Sequence, residues 1–583
     1  MTEVAADALL AGLDPEQREV ALATRGAVCV LAGAGTGKTR AITHRIAYAA
    51  AIGVVNPAHV LALTFTVRAA GEMRGRLRQL GASQVRASTF HAAALRQLNY
   101  FWPRVIGGRP PQLIDAKAAL IREAAKQARV RLDGPGLADA ASEIEWAKTT
   151  QIRPDSYAPA AAAAGRSPAA GTETMAFVYD GYERLRRERH LIDFESVLEL
   201  TAGIVLEHRG AADQVRDTFR YFVVDEYQDV NPLQKLLLDA WLGDRDELCV
   251  VGDPHQVIYS FTGATPDYLT GFTAEFPGAA LVRLVRDYRS TPQVVAVANQ
   301  LMRSGQALVA QRPPGPQPVL TRYGDDASEA AGVVVQIRAL IAAGVPVGEI
   351  AVLVRINADT ERFEQALTQA KVPYVVRGAE RFYERPVVRQ ALVLFRGAAR
   401  GAAASAEAGA ADPLPAAVRD VLTGIGFTGG PPAGGSAARE RWESLAAIAE
   451  LADDMYAARP QASLSDFAAE LTQRAELGHA PAARGVTLAS MHAAKGLEWD
   501  AVLLPGLVEG LMPIVHARTP GAIEEEKRLL YVAVTRARQH LYLSWSPARA
   551  SGGQGRVAAR QRSRFLDDVR LGRARRSGGR SGG

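Results

Sequence analysis

Short, dense apolar runs alternate along this chain with stretches in which apolar residues return every three or four positions. Ala27–Ala32 (AVCVLA), Tyr221–Val224 (YFVV) and Leu248–Val251 (LCVV) carry no polar break and read as buried strands. Behind the first run, Ile42, Ile46 and Ala49/Ala50 are spaced for the inward face of a helix. Strands alternating with amphipathic helices predict an α/β chain. The pattern loosens in APAAAAAGRSPAAG (158–171), GAARGAAASAEAGAADPLPA (397–416) and FTGGPPAGGSAA (427–438), which read as loops or linkers with little chemistry. No apolar run approaches the roughly 18–20 residues of a membrane span.

Composition narrows this picture. The 583 residues suffice for about four domains. The N-terminus carries Glu3 and Asp7 and no basic n-region, so it does not read as a signal peptide. The two cysteines, Cys29 and Cys249, each sit inside an apolar run; they read as buried thiols of a reducing compartment and exclude a Cys-rich metal site. A soluble, cytoplasmic protein with no membrane partner is expected. The net charge is +6, but Ser551–Gly583 alone holds nine arginines and two aspartates. The body before it is therefore near neutral, and any basic groove there is local. The tail reads as disordered, either a solvated end or a non-specific phosphate-binding arm.

Chemistry enters at Ala32-Gly33-Ala34-Gly35-Thr36-Gly37-Lys38-Thr39, between the first strand and its helix. That context is what a phosphate-binding P-loop requires. Glycines let backbone N–H groups converge on phosphates, and the helix N-terminus adds partial positive charge. Lys38 would reach the β- and γ-phosphates, and the Thr39 hydroxyl would bind Mg²⁺. The strict pattern has glycine at position 32. A plain flexible turn is the alternative, which GTGKT in this setting disfavours. Downstream, YFVV ends in Asp225-Glu226, where open α/β sheets place ligands. Asp225 could hold Mg²⁺ and Glu226 could orient and polarise the attacking water. LCVV leads into Gly252-Asp253-Pro254-His255-Gln256, which places Gln256 to sense the γ-phosphate.

The ordered set LDPEQ (13–17), AGAGTGKT (32–39), TFTVRAAGEM (64–73), TFH (89–91), VVDEYQDVNPLQ (223–234), VGDPHQVIYSFTGA (251–264), RDYRST (286–291), SMHAAKGLEWD (490–500) and EEKRLLYVAVTRARQHL (525–541) resembles the UvrD/Rep/PcrA family of superfamily 1A DNA helicases. The match runs from about Leu13 to Trp545. AAALRQLNYFWPRV (92–105), SMHAAKGLEWD and GLVEGLMP (506–513) are similar to the second UvrD-type paralogue of actinobacteria, which can carry a four-cysteine element and a C-terminal HRDC domain; neither is present in these residues. The resemblance implies two RecA-like P-loop NTPase cores. Core 1A is expected over 1–91 and 193–282, and core 2A over 283–385 and 483–550. Mostly helical inserts 1B (92–192) and a short 2B (386–482) interrupt them, and the basic tail covers 551–583. ATP is expected in the cleft between the cores.

The resemblance also assigns residues. Ala34, Gly35, Thr36, Gly37, Lys38 and Thr39 would bind the phosphates, with Gln17 reading the adenine, Tyr288 stacking on it, Arg40 beside the nucleotide and Glu498 holding the ribose. Arg289 and Arg536 look like arginine fingers, and Lys38, Asp225, Glu226 and Gln256 complete the hydrolytic set. Phe65, His91, Tyr259 and Phe261, with Arg355 and Asn357, would line a single-stranded DNA track; singly, each aromatic could instead be core. Phe261 stands where relatives usually have tryptophan and Thr262 where several have arginine. The implied activity is 3′-to-5′ translocation and unwinding, driven by ATP with Mg²⁺. Its substrates are single strands and single/double-strand junctions in repair or replication, with a possible repair-protein partner. Two rivals are a translocase that strips proteins without unwinding duplex, and an ATP-controlled clamp. A fused nuclease is conceivable but not expected, because the tail after Trp545 is short and poor in carboxylates.

Overall fold

The apolar runs pair in parallel, as strands buried on both faces do. The computed structural model describes residues 3–114, 117–303, 307–377, 386–404, 413–428, 436–477, 485–551 and 556–570. The chain divides into two compact units, Met1–Val285 and Arg286–Gly583. The first unit holds a six-stranded sheet in the order Arg86–Thr89, Val60–Thr64, Tyr221–Val224, Leu248–Gly252, Val28–Ala32, Ala280–Leu284. Every neighbouring pair is parallel, with Val28 and Val223 both opposite Cys249. Side chains alternate between the faces: Cys29, Leu61, Leu63, Phe222, Val224 and Val250 enter one core, and Val28, Val30, Ala62, Val223, Cys249 and Val251 the other. The two cysteines thus lie on opposite faces, both buried as expected. Burial pushes the Cys29 thiol up to about 12, which leaves it protonated and inert.

Within the same unit, Ala118–Gln127, Gly134–Thr149 and Thr172–Glu188 build a helical core of their own around Ile121, Ile144, Tyr157, Val178 and Tyr182. The helix Phe90–Val105 buries Phe90, Ala94, Leu98 and Phe101 in the core of the sheet.

The second unit repeats the architecture with six parallel strands, ordered Val319–Arg322, Ala537–Trp545, Trp499–Leu504, Ile350–Val354, Val486–Ser490, Tyr374–Arg377. Helices between Pro386 and Leu477 pack Val388, Phe395, Val418, Leu445 and Phe467 into a separate cluster. Among the described residues no helix is long and apolar enough to cross a membrane.

The structure corrects two readings. The Ala-rich runs are in part helical, over Tyr157–Ala163, Pro386–Ala404, Leu414–Thr423 and Ser436–Ala458. Alanine is the best helix former, and Ala158 and Ala161 are small enough to be buried. Residues 405–412 and 429–435 of those runs lie outside the described residues. The described part of the tail, residues 551 and 556–570, is likewise folded. Ala548–Ser551 pairs antiparallel with Arg556–Ala559. Phe565 and Leu566 are buried, the Ser563 N–H donates to the Leu507 carbonyl at 2.9 Å, and Asp568 pairs with Arg303 and Lys527. The rest of the tail, 552–555 and 571–583, lies outside the described residues.

Candidate functional site

Parallel pairing puts the carboxyl ends of all strands on one edge of the sheet, where the loops carrying chemistry gather. After Val28–Ala32 the chain turns through Gly35 and Gly37, with φ of 71° and 77°. Ala32, where the strict pattern has glycine, is buried in the core below the loop, so its methyl is accommodated. A Cβ on Gly37 would stand 2.6 Å from Gln17 Nε2. Gln17 is itself buried and donates to the Thr36 carbonyl at 3.0 Å, which brings it to the loop. Arg40 is exposed and donates to the Gly12 carbonyl at 2.9 Å.

The acidic pair meets this loop. Thr39 Oγ1 donates to Asp225 Oδ2 at 3.3 Å, and Lys38 Nζ lies 3.6 Å from Glu226 Oε1. Burial and the Glu226 charge push the Asp225 carboxyl up to about 6, against the pull of Lys38. A buried carboxylate beside a hydroxyl and a second carboxylate is a hard-oxygen set that fits Mg²⁺. Glu226 has φ 54°, a left-handed conformation that costs a non-glycine residue of order 1–3 kcal/mol.

Gln228, absent from the sequence-derived set, organises the centre. Its amide donates to Glu226 and accepts the Asp253 N–H at 3.0 Å, and Asp253 in turn accepts from Gln256 Nε2 at 2.9 Å. Glu226 and Gln256 are therefore joined across two strand ends. Gly252 makes room for this, because a Cβ there would lie 2.4 Å from Gln228 Oε1 and 2.8 Å from Leu269 Cδ2. Gly252→Ala is expected to destabilise by about 1–3 kcal/mol through overpacking, read as a lowered Tm in thermal denaturation.

In the second unit, Arg289 pairs with Glu498 at 2.5 Å and donates to the Thr535 carbonyl at 3.3 Å. Burial would raise the Glu498 carboxyl, but Arg289 and Arg538 hold it below its ordinary value. Arg536 is 2% exposed, and its guanidinium donates to the carbonyls of Val532 and Leu497 and to Thr535 Oγ1 at 2.9, 3.2 and 3.1 Å. Tyr288 is exposed. Arg289, Arg536 and Glu498 thus share one neighbourhood around Thr535.

The aromatics proposed for DNA fall into three groups on the first unit. Phe65 packs against the core, 6.2 Å from Phe90. His91 sits 5.8 Å edge-on from Phe194, an exposed ring the sequence reading missed. Burial, then Lys117, drops the His91 pKa to about 4, so at neutral pH it offers a ring and no charge. Tyr259 and Phe261 are 6.0 Å apart, and Phe261 is 48% exposed. In the second unit, Arg355 forms a bidentate pair with buried Glu526 at 2.6–3.1 Å. A phosphate would have to compete with that carboxylate. Asn357 is exposed at the start of a short helical turn, Asn357–Asp359.

Two family models match the chain: the UvrD/REP helicase N-terminal domain over residues 13–277, and the UvrD-like helicase C-terminal domain over 282–406 and 417–548. The chain belongs to the UvrD/REP helicase family. As a UvrD-like helicase it is an ATP-hydrolysing enzyme. It is 50% identical, over 97% of its length and 83% of theirs, to proteins of Mycobacterium bovis and Mycobacterium tuberculosis named ATP-dependent DNA helicase UvrD2. It is 27% identical, over 97% of its length and 87% of the relative, to ATP-dependent DNA helicase PcrA of Staphylococcus epidermidis. The similarity to the second UvrD-type paralogue of actinobacteria agrees with the first of these.

The residues missed in this UvrD-like helicase share a cause. Gln228 and Asp253 stand inside strings already singled out, yet only their mutual contact marks them as positioning residues. Phe194 stands alone in its stretch of sequence, and nothing but its exposure beside His91 draws attention to it.

Proposed function

We propose that the chain is an ATP-dependent DNA helicase that moves 3′-to-5′ along single strands and opens single/double-strand junctions in repair or replication. The observation that supports it best is that one sheet edge carries both sets of residues. Lys38, Thr39, Asp225, Glu226 and Gln256 follow three of its strands, and Phe65, His91 and the Tyr259–Phe261 loop follow strand ends on the same edge. ATP with Mg²⁺, when bound, supplies the phosphoryl group to be transferred. Lys38 neutralises the β- and γ-phosphates, Thr39 and Asp225 hold the metal, and Glu226, oriented by Gln228, polarises water. Gln17 and Tyr288 select adenine, with Arg40 alongside, and Glu498 holds the ribose. Arg289 and Arg536 act as arginine fingers on the γ-phosphate. Bases stack on the exposed aromatics without sequence preference, with Asn357 and Arg355 as further contacts.

Strand displacement on duplexes with 3′ or 5′ single-stranded tails tests the reading, with Lys38→Ala as the blank. Unwinding from the 3′ tail alone is expected. ATP hydrolysis stimulated by single strands with no unwinding from either tail would favour a protein-stripping translocase, and no stimulated hydrolysis at all would favour a clamp. For Phe261→Ala the expected result is uncoupling, with more ATP hydrolysed per base pair displaced; an unchanged ratio would remove Phe261 from the track.

A further inference from the structure

The run 158–171 contains a single charged residue, Arg166. Its Nε lies 3.1 and 2.9 Å from the two Glu143 oxygens, Nη2 is 2.9 Å from Glu143 Oε1, and the guanidinium sits 4.5 Å over the Trp146 ring. Glu143 is buried and also accepts the Tyr157 hydroxyl at 2.6 Å. A guanidinium so clamped has little orientational freedom, and its Nη1 donates to the Phe261 carbonyl at 3.3 Å. The next carbonyl, that of Thr262, lies 2.8 Å from Thr149 Oγ1, at the end of the helix Gly134–Thr149; the Glu145 and Trp146 carbonyls at 2.9 and 3.0 Å compete for the same proton. Steric fit adds to the polar contacts. Gly263 has φ +90°, and a Cβ there would stand 2.9 Å from Thr150 Cγ2 and 3.1 Å from Thr149 Oγ1.

Two consecutive carbonyls and the closing glycine of the Tyr259–Gly263 loop are thus seated on the helical insert. Within the loop, Phe261 lies in the helical turn Ser260–Thr262, 6.0 Å from the Tyr259 ring, and is half exposed. We infer that Arg166 and Thr149 are positioning residues, through which the helical insert sets the angle of the Phe261 ring on the DNA strand. The inference rests on the reading of Phe261 as a stacking platform. Stacking is worth about 1–3 kcal/mol per base and depends on ring geometry. A mis-set Phe261 therefore loses part of it without any change at the nucleotide.

The test compares Arg166→Ala, Arg166→Lys, Thr149→Val, Phe261→Ala and the Arg166→Ala/Phe261→Ala double variant. The readouts are Kd for a single-stranded oligothymidylate by fluorescence anisotropy and ATP hydrolysed per base pair displaced. Arg166→Ala is expected to raise Kd about three- to tenfold, a fraction of the full stacking term, and to raise the ATP ratio, with the kinetic change in the DNA concentration for half-maximal ATPase rather than in KM for ATP. The double variant should bind no more weakly than Phe261→Ala alone, because Arg166 acts through that ring. Arg166→Lys keeps the charge but not the fork that spans Glu143 and Phe261, so it should behave like Arg166→Ala. Thr149→Val, nearly isosteric and away from Glu143, should shift Kd in the same direction if the arginine variants misfold. Additive losses in the double variant overturn the inference, as does rescue by lysine, which would mean simple attraction of DNA. Wild-type binding by both Arg166→Ala and Thr149→Val also overturns it. If Phe261→Ala itself binds like wild type, the stacking reading fails first and this role falls with it.

Discussion

Lys38→Ala is expected to lower ATP turnover by at least about 10²–10³-fold while leaving the protein folded. The structure separates these two effects. Lys38 opens the helix Lys38–Ala51, where alanine is at least as favourable as lysine. Its 3.6 Å pair with Glu226 is partly exposed, so losing it costs no more than about 1 kcal/mol of stability. At the site, by contrast, the ammonium is the positive charge facing two adjacent carboxylates, one of them buried. Removing it leaves phosphates to approach Asp225 and Glu226 with their nearest screening cation gone, and charge developing in phosphoryl transfer loses its partner. Phosphate release stimulated by single-stranded DNA, with thermal denaturation as the folding control, measures both. Near-normal turnover in a folded variant would sink the assignment of the P-loop.

What the sequence makes legible here is chemistry built from neighbours along the chain. The P-loop needs a strand, two left-handed glycines and a helix start, and all lie within Val28–Ala51. The same holds for Asp225 and Glu226, which follow their strand directly. Contacts made across the fold leave no such trace. Arg355 looks like a free cation until Glu526 appears beside it from 171 residues away. Arg166 looks like punctuation in an alanine run until it reaches a carbonyl 95 residues on. In the tail, the arginines dominate the composition, whereas its order comes from two apolar side chains and from Glu509, Arg303 and Lys527, which belong to other segments. Alanine misleads for a different reason. It lowers apparent complexity, which suggests a linker, yet it is the residue most compatible with a helix.

Arg536→Ala is the second large effect expected: nucleotide binding within about threefold of wild type, and hydrolysis slower by about 10³-fold or more, the scale of a lost arginine finger. Of the two candidate fingers, Arg536 gives the cleaner experiment. Arg289 is ion-paired with Glu498, so its removal leaves the carboxylate proposed to hold the ribose with Arg538 as its remaining ion-pair partner among the described residues, and binding and hydrolysis would fall together. Arg536 instead donates to two carbonyls and a hydroxyl of its own unit, none of them assigned to the nucleotide. Those bonds orient the guanidinium plane before any phosphate arrives, which is what preorganised charge stabilisation requires. They also mean that alanine removes the Arg536 donor from the Leu497 carbonyl, whereas the Val532 carbonyl keeps the Thr535 hydroxyl at 2.9 Å, at a cost of about 1–3 kcal/mol. Arg536→Lys is therefore measured alongside, since it retains a donor and a charge but not the fork. Fluorescent-nucleotide binding and single-turnover hydrolysis distinguish the outcomes. Intact binding with lost hydrolysis in both variants identifies a finger, whereas equal loss of binding and hydrolysis would assign Arg536 to the architecture of the second unit and leave Arg289 to carry the charge alone.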